Sequence, residues 1–315
     1  MPNPTSFDVH VDAILTNMSV AYMQEAYAFV ASRAFPQVQV QKQTDKYFVY
    51  DQADFFRDQV QRRADGTQSA GTGYSLSTAS YSAEVYALHK DIGDQTRANA
   101  DDPLDMDMDA TRFLTQQMLI RQEVEWASAA FNTGIWGTDS TPGVLWDAAN
   151  STPIANIETG KNAVLTATGY VPNTVIMSYK VFSALMDNAD IVDRIKYTSV
   201  ESVSEDLLAR LFNVDRVLIM AGTYNTAANG ATASYSQIGD KDVLLCYTPD
   251  NPGLMQPSAG YTMVWNGVSS GMGTSSAISR FRLEAEKADR IEIEAAWDTK
   301  IVSSALGYFL SNVTS

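Results

Sequence analysis

The feature that most constrains the fold is a long stretch, residues 110–133, in which neither proline nor glycine occurs. Positions every three or four residues fall on one side of a helix there; they are Ala110, Phe113, Leu114, Gln117, Ile120, Val124, Ala127 and Phe131. Charged and amide side chains occupy the opposite side. At about 1.5 Å per residue the helix would be roughly 35 Å long, about twice the usual length. We therefore predict one dominant helix.

A run of aspartates, D-D-P-L-D-M-D-M-D at 101–109, precedes this helix. Alternating aspartates can open a calcium loop, but such a loop starting at Asp105 needs glycine at its sixth position and glutamate at its twelfth. The chain has Ala110 and Gln116 there. The pattern instead favours a helix start, in which Asp107 or Asp109 caps the first backbone amides and complements the helix dipole.

The remainder of the chain alternates between strand and helix signals, which indicates an α+β fold. In residues 290–301 the odd positions, from Ile291 to Ile301, are mostly apolar and the even ones mostly charged, so we predict a half-buried strand. Further predictions are a strand at 170–177, a helix at 179–189 and a helix at 203–211 capped by Ser202 or Ser204.

The N-terminal part combines a helical pattern with a segment that cannot form a core. Residues 10–34 have helical periodicity, which Phe35-Pro36 should end, and alternation at Val38 and Val40 predicts a short strand. Residues 46–60 and 74–92 have strand character, but the stretch from 62 to 73 between them holds no core-forming residue. We predict a long projecting hairpin that cannot fold by itself.

Charge and composition exclude several classes of protein. The formal charge is −15, from 22 basic and 37 acidic residues, which argues against a nucleic-acid reader or a membrane-surface protein. The one cysteine, Cys246, lies in an apolar run and is expected to be a buried hydrophobe. No segment has the length and hydropathy of a membrane span or a signal peptide. We expect a soluble protein made in a reducing cytosol.

Motifs for catalysis or cofactor binding are weak. G-V-S-S-G at 267–271 fits the hydrolase elbow around Ser269, yet that fold needs a histidine downstream, and His10 and His89 both lie upstream. Two histidines and one cysteine cannot form a structural zinc site, and no phosphate-binding loop is present. A carboxylate pair cannot be singled out in so acidic a chain. We predict no catalytic, cofactor-binding or metal-binding residues.

The order of these parts resembles the major capsid proteins of tailed bacteriophages, which have the Hong Kong 97-like fold. The resemblance runs through an N-terminal arm, the return limb of an extended loop, a spine helix, the opening of an axial domain and a late strand; in this chain these are residues 34–50, 81–94, 109–131, 172–188 and 290–310. It implies an arm at 1–45, an extended hairpin at 46–95, a peripheral domain at 96–165 and an axial domain at 166–278. A peripheral strand at 279–302 and a return to the axial domain at 303–315 would follow.

The resemblance also implies a function and partners. Copies would assemble through pentamers and hexamers into an icosahedral shell, in the host cytoplasm, that encloses double-stranded DNA in the virion by weak, non-specific contacts. Separate scaffolding, portal and decoration proteins are further expected partners. For the chain itself, the resemblance implies no enzymatic activity, no cofactor and no contact with a membrane. The hairpin would contact neighbouring subunits through Tyr47, Phe48, Phe55, Phe56, Arg62, Arg63, Tyr74 and Tyr81.

Some features expected of the family are absent, and two alternatives stay open. Covalent crosslinking in part of the family uses a lysine in the extended loop, and residues 50–89 contain none. No long charged scaffolding segment precedes the arm. The first alternative is an encapsulin-type nanocompartment shell protein on the same fold. The second, of a different class, is a cytosolic hydrolase that uses Ser269 or a carboxylate pair.

Overall fold

The computed structural model describes residues 24–100, 105–195, 203–253, 255–268 and 276–315. Within these residues the α-helices are α1 (Ala31–Ala34), α2 (Gln52–Phe55), α3 (Asp94–Ala98), α4 (Met106–Ala130), α5 (Pro153–Thr168), α6 (Tyr179–Met186), α7 (Ala189–Ile195) and α8 (Glu205–Phe212). The strands are β1 (Gln37–Val40), β2 (Thr44–Tyr50), β3 (Leu76–Ser82), β4 (Glu84–Gly93), β5 (Thr138–Ser140), β6 (Thr174–Ser178), β7 (Arg216–Met220), β8 (Thr223–Asn225), β9 (Tyr235–Gln237), β10 (Val243–Cys246), β11 (Gly260–Trp265), β12 (Ser276–Leu283), β13 (Ala288–Ile301) and β14 (Gly307–Leu310).

The predicted period-two strand is the centre of the first sheet. β13 pairs antiparallel with β4 along one edge. Along its other edge it pairs antiparallel with β12 in its first part and with β11 in its last part, and β1 lies parallel to β11. Ile291, Ile293 and Trp297 are buried, as the alternation predicted, and Glu292 and Glu294 are only partly covered. The prediction of a half-buried strand is therefore confirmed.

The predicted dominant helix is α4, and it is 25 residues long. Its N-cap is Asp105, whose carboxylate accepts hydrogen bonds from the backbone amides of Asp107 and Met108, both at 3.1 Å. The prediction that Asp107 or Asp109 is the cap was wrong, because both already lie in the first helical turn. Asp105 is the residue with the extended backbone that a cap requires.

The buried side of α4 differs in part from the predicted stripe. Ala110, Leu114 and Ala127 are buried as predicted, whereas Phe113 is 40% exposed. The N-terminal half packs on the first sheet, in a cluster with Ile291 and other residues of β13, and the C-terminal half enters the main core. Because the helix meets two different surfaces, no single stripe describes its contacts.

The main core surrounds a second sheet, with strand order β5-β14-β10-β6-β7. β6, which falls within the strand predicted at 170–177 apart from its last residue, is fully buried, and so is β10, which contains Cys246. Helices α6 and α8 follow the predicted segments, and Ser204 caps α8 by accepting a hydrogen bond from the amide of Leu207. Helix α5 packs against β14 and α8.

The continuous helix predicted at 10–34 is not formed in its described part; residues 10–23 lie outside the described ranges. Between 24 and 34 the chain makes two short helical pieces, Ala26–Ala28 and α1, with extended backbone at Phe29 between them. The interruption has a tertiary cause, because buried Glu123 of α4 binds the amides of Val30 and Ala31. The stop at Phe35-Pro36 and the strand after it, β1, are confirmed.

The domain boundaries stay a prediction, although sheet membership departs from them at two points. β11 lies within the predicted axial segment but pairs with β1 and β13 of the first sheet. β5 lies within the predicted peripheral segment but pairs with β14 of the second sheet. Over the described ranges, the helices lack the combination of length and apolar character needed to span a bilayer.

Candidate intersubunit surface

The predicted hairpin is present, formed by β2 and β3, but it is shorter than predicted. Helix α2 lies within the predicted first limb, and β4, the end of the predicted return limb, pairs with β13 instead. The two strands pair antiparallel, from Thr44 opposite Ser82 to Tyr50 opposite Leu76, and form a sheet of their own. Only Ala83 separates β3 from β4, so the return strand runs directly into the first sheet. We call residues 51–75 the hairpin tip. A two-stranded sheet is marginally stable alone, so the hairpin depends on other surfaces.

Two of the predicted contact residues pack at the base of the hairpin. Tyr81 is 7% exposed and donates its hydroxyl to the carbonyl oxygen of Lys42 at 3.1 Å, while Tyr47 is partly buried beside it. Both belong to a cluster with Tyr261 and Met263 of β11, and burial raises the pKa of both phenols. These tyrosines therefore anchor the hairpin to its own subunit and leave little surface for a neighbour.

The tip is ordered by a short helix that closes on the start of β3. Asp51 caps α2 by accepting the amide of Ala53 at 2.9 Å. Asp54 accepts hydrogen bonds from the amide and the hydroxyl of Ser75, at 2.8 and 2.7 Å, and these bonds hold the pKa of Asp54 below its usual value. The two ends of the tip are thereby joined.

Three aromatic rings form a cluster on this framework. The centroids of Tyr50, Phe55 and Tyr74 lie 5.8–5.9 Å from one another. Phe55 is nevertheless 50% exposed and Tyr74 65% exposed. Rings that touch each other yet face solvent form a rigid apolar surface that a partner can cover.

The remaining predicted residues face solvent as well. Phe48 is 67% exposed and Phe56 59%, and Arg62 is exposed at the tip. Arg63 donates from Nε to the carbonyl oxygen of Thr67 at 2.5 Å, so its head group is held within the tip. The structure thus divides the predicted contact residues into a buried base and an exposed outer part.

Two residues of this surface were not predicted from the sequence. Tyr50 completes the aromatic cluster, and the alternation Phe48, Tyr50 along β2 could have identified it. Val60 is 94% exposed, and as a single apolar residue in a polar stretch it gave no sequence signal.

A groove of about 490 Å³ lies between α4 and strands β4 and β13. On its wall Tyr86 stacks on Trp297, with centroids 4.4 Å apart. Glu125 accepts hydrogen bonds from both rings and from Arg121, and burial together with this contact raises the pKa of Tyr86 to about 12. Glu125 and Arg121 are engaged with each other, and Glu125 also with both rings, so the groove fits a structural contact better than a catalytic site.

An ion-pair cluster joins the start of α4 to the end of the first sheet. Arg97, Arg280 and Arg282 all contact Asp289, and these hydrogen bonds hold its pKa far below the usual value. Asp107 also pairs with Arg97, at 2.6 Å, and with Arg280, at 2.9 Å. Of the aspartates that suggested calcium, Asp105 is thus engaged as a cap and Asp107 in ion pairs, and the described residues contain no metal-binding group of three or more ligands.

The potentially reactive side chains do not form a catalytic arrangement in the described part of the chain. Cys246 is fully buried, and burial raises the pKa of its thiol to about 12, so the thiolate is suppressed. His89 lies on β4, half exposed, with Nε2 3.9 Å from an oxygen of Asp91. Ser269 and His10 of the hydrolase alternative lie outside the described residues.

Comparison with known proteins finds relatives of similar sequence and fold. No family model matches the chain. A curated relative, the major capsid protein of Burkholderia phage BcepMu, is 22% identical over 312 residues, covering 96% of each chain.

Solved structures agree over most of the chain. A phage-related protein from Bordetella bronchiseptica matches with a TM-score of 0.67 at 22% identity, over 91% of this chain and 92% of that one. The capsid of cyanophage P-SCSP1u matches with a TM-score of 0.61 at 11% identity, over 98% and 94%. The SrpI encapsulin of Synechococcus elongatus matches with a TM-score of 0.58 at 12% identity, over 96% and 94%. The chain therefore has the Hong Kong 97-like capsid fold, and its predicted resemblance to tailed-bacteriophage major capsid proteins is confirmed.

Proposed function

We propose that this chain is the major capsid protein of a tailed bacteriophage and that its copies form the icosahedral shell of the virion around double-stranded DNA. The observation that carries the proposal is the hairpin, whose aromatic residues stay exposed although the base is firmly anchored. A subunit that leaves this surface uncovered gains stability when a neighbour covers it. The similarity to the BcepMu major capsid protein over almost the whole chain supports the same function.

The proposal specifies partners as well. Self-association through pentamers and hexamers would be the main interaction, with Phe48, Phe55, Phe56 and Tyr74 as hot spots and Arg62 at the rim. Scaffolding, portal and decoration proteins would bind the shell, and the net negative charge would keep contacts with packaged DNA weak. The role is structural, without catalytic turnover.

Assembly of the purified chain tests the proposal directly. Expressed with and without candidate scaffolding proteins, it should give closed shells, or rings of five and six, by negative-stain microscopy and analytical ultracentrifugation. Deletion of residues 62–73 should preserve the far-ultraviolet circular dichroism spectrum and the unfolding transition but prevent closed shells. A monomer across salt, concentration and scaffold conditions would refute the function, and unaltered shells from the deletion variant would refute the role of the hairpin.

The encapsulin-type shell remains a second candidate because the SrpI encapsulin also matches nearly the whole chain. Particles purified from the cells that produce this protein distinguish the two. Nuclease-protected double-stranded DNA of uniform length, with a portal at one vertex, supports the phage capsid. Particles that contain a protein cargo and no such DNA support the nanocompartment.

A further inference from the structure

The hairpin tip touches its own subunit at a place far from its base. Gln52 of α2 donates its side-chain amide to the carbonyl oxygen of Ala167 at 2.5 Å. This carbonyl is in the last turn of α5, where backbone acceptors have no partner within the helix. The tip therefore supplies a hydrogen bond that the end of α5 lacks.

A second contact lies beside the first. Gly169, the left-handed C-cap of α5 with φ of 74°, faces the ring of Phe56, and a Cβ built on the glycine would be 3.6 Å from the ring edge. Because glycine has no side chain, the ring of Phe56 can lie against the backbone at the end of α5. Gly169 also provides the left-handed conformation that ends the helix.

The surface around these contacts is apolar and only partly covered. Leu165, Tyr170 and Val171 are 40%, 38% and 45% exposed, and the ring of Tyr170 packs in a tilted arrangement against that of Tyr247, with centroids 5.1 Å apart. We call residues 165–171 the α5-end surface. Apolar residues next to a carbonyl at a helix end suit a partner that offers an aromatic ring and an amide donor, as Phe56 and Gln52 do.

We propose that the α5-end surface is a docking site for the hairpin tip of the same subunit, and that this intramolecular contact competes with docking of the tip on a neighbour. The inference rests on the proposed function, since it concerns how free subunits enter a shell. The atoms of Gln52 and Phe56 that contact α5 are not open to a neighbour, so a neighbouring subunit that binds this same face of the tip must displace the contact first. We call this contact between the tip and α5 the latch. It consists of one hydrogen bond and one ring contact, and Phe56 stays 59% exposed, so we expect it to open readily.

The substitution Gln52→Glu tests the latch with little change in size. A carboxylate cannot donate to the Ala167 carbonyl, and it is repelled by the negative end of the α5 dipole. The matched control is Gln68→Glu, the same change at an exposed position of the same tip. Both variants carry the same net charge, so differences between them report on the contact itself.

The first measurement uses unassembled subunits and does not depend on shell formation. Hydrogen exchange followed by mass spectrometry should show faster exchange in peptides spanning 51–56 and 165–170 for Gln52→Glu, and no change at these peptides for Gln68→Glu. Equal exchange in wild type and both variants would show that the tip does not dock on its own subunit, whether or not the chain forms shells.

The second measurement follows assembly by light scattering. Gln52→Glu should assemble roughly threefold to tenfold faster than wild type and Gln68→Glu, the population change expected when one exposed hydrogen bond is lost. Faster exchange with an unchanged assembly rate would mean that the contact exists but does not compete. Slower assembly with unchanged exchange would place Gln52 at a neighbour's surface. Either result overturns the latch.

Discussion

Glu123 offers the sharpest test of how the segment before β1 is attached to α4. It is fully buried in the C-terminal half of α4, and its carboxylate accepts hydrogen bonds from the amide of Val30, at 3.0 and 2.9 Å, and of Ala31, at 2.7 Å. These amides belong to the start of α1, where they have no partner within the helix. Burial raises the pKa of Glu123 to about 7, although the two backbone amides and Arg33 oppose the rise.

Two substitutions separate the hydrogen bonds from the charge. Glu123→Ala leaves two buried amides without acceptors, each at about 1–3 kcal/mol, and adds a cavity, so we expect a loss of roughly 3–5 kcal/mol in the free energy of unfolding. Glu123→Gln keeps one acceptor oxygen, removes the charge and places an amide group against backbone donors. We expect it to cost about 1–2 kcal/mol near pH 5.

The dependence on pH has a definite sign. Since the folded-state pKa of about 7 lies above the ordinary value of 4.5, the contribution of Glu123 is fully present below pH 4.5 and is lost as pH rises through 7. The difference between the two values corresponds to about 3 kcal/mol. Glu123→Gln should lose this dependence, so that it approaches or exceeds wild type in stability above pH 7.

Urea unfolding of unassembled chain, followed by tryptophan fluorescence at pH 5, 6, 7 and 8, measures both effects. The difference between wild type and Glu123→Gln cancels the titration of all other groups. Parallel pH profiles for the two proteins would refute the assignment of the buried charge. A loss below about 1 kcal/mol in Glu123→Ala would refute the role of the two hydrogen bonds.

Three further substitutions probe the helix start, the ion-pair cluster and the hairpin. Asp105→Ala removes the cap of α4 and should lower the free energy of unfolding by about 1 kcal/mol in urea titrations, whereas an unchanged value would contradict the cap. Asp289→Asn should lower the thermal midpoint of unfolding and weaken the dependence of that midpoint on salt. Because the pKa of Asp289 is depressed, the midpoint of wild type should approach that of the variant as pH falls below 3.8. A difference between the two midpoints that stays constant with pH would be inconsistent with the cluster. Phe48→Ser should leave the unfolding of free subunits almost unchanged but impair shell formation, and normal shells would remove Phe48 from the interface.

The parts that the sequence predicted are those whose cause is local. The lengths of α4 and β13 follow from uninterrupted periodicity, and the hairpin follows from strand signals on either side of a polar stretch. The exposed aromatic residues were also identifiable, because few polar stretches carry so many rings. The order of the predicted helices, strands and hairpin along one chain was enough to indicate the capsid fold.

What only the tertiary structure decided depends on partners distant in sequence. Residues 24–34 belong to a segment with helical periodicity, yet Glu123, about ninety residues away, binds the amides of Val30 and Ala31, and these residues form two short helical pieces. β11 joins the first sheet because β1 and β13 offer edges on either side of it. Tyr81 was predicted to contact a neighbour and is covered by the chain's own β11. Periodicity states which face of an element is apolar, and only the packed structure states which surface covers that face.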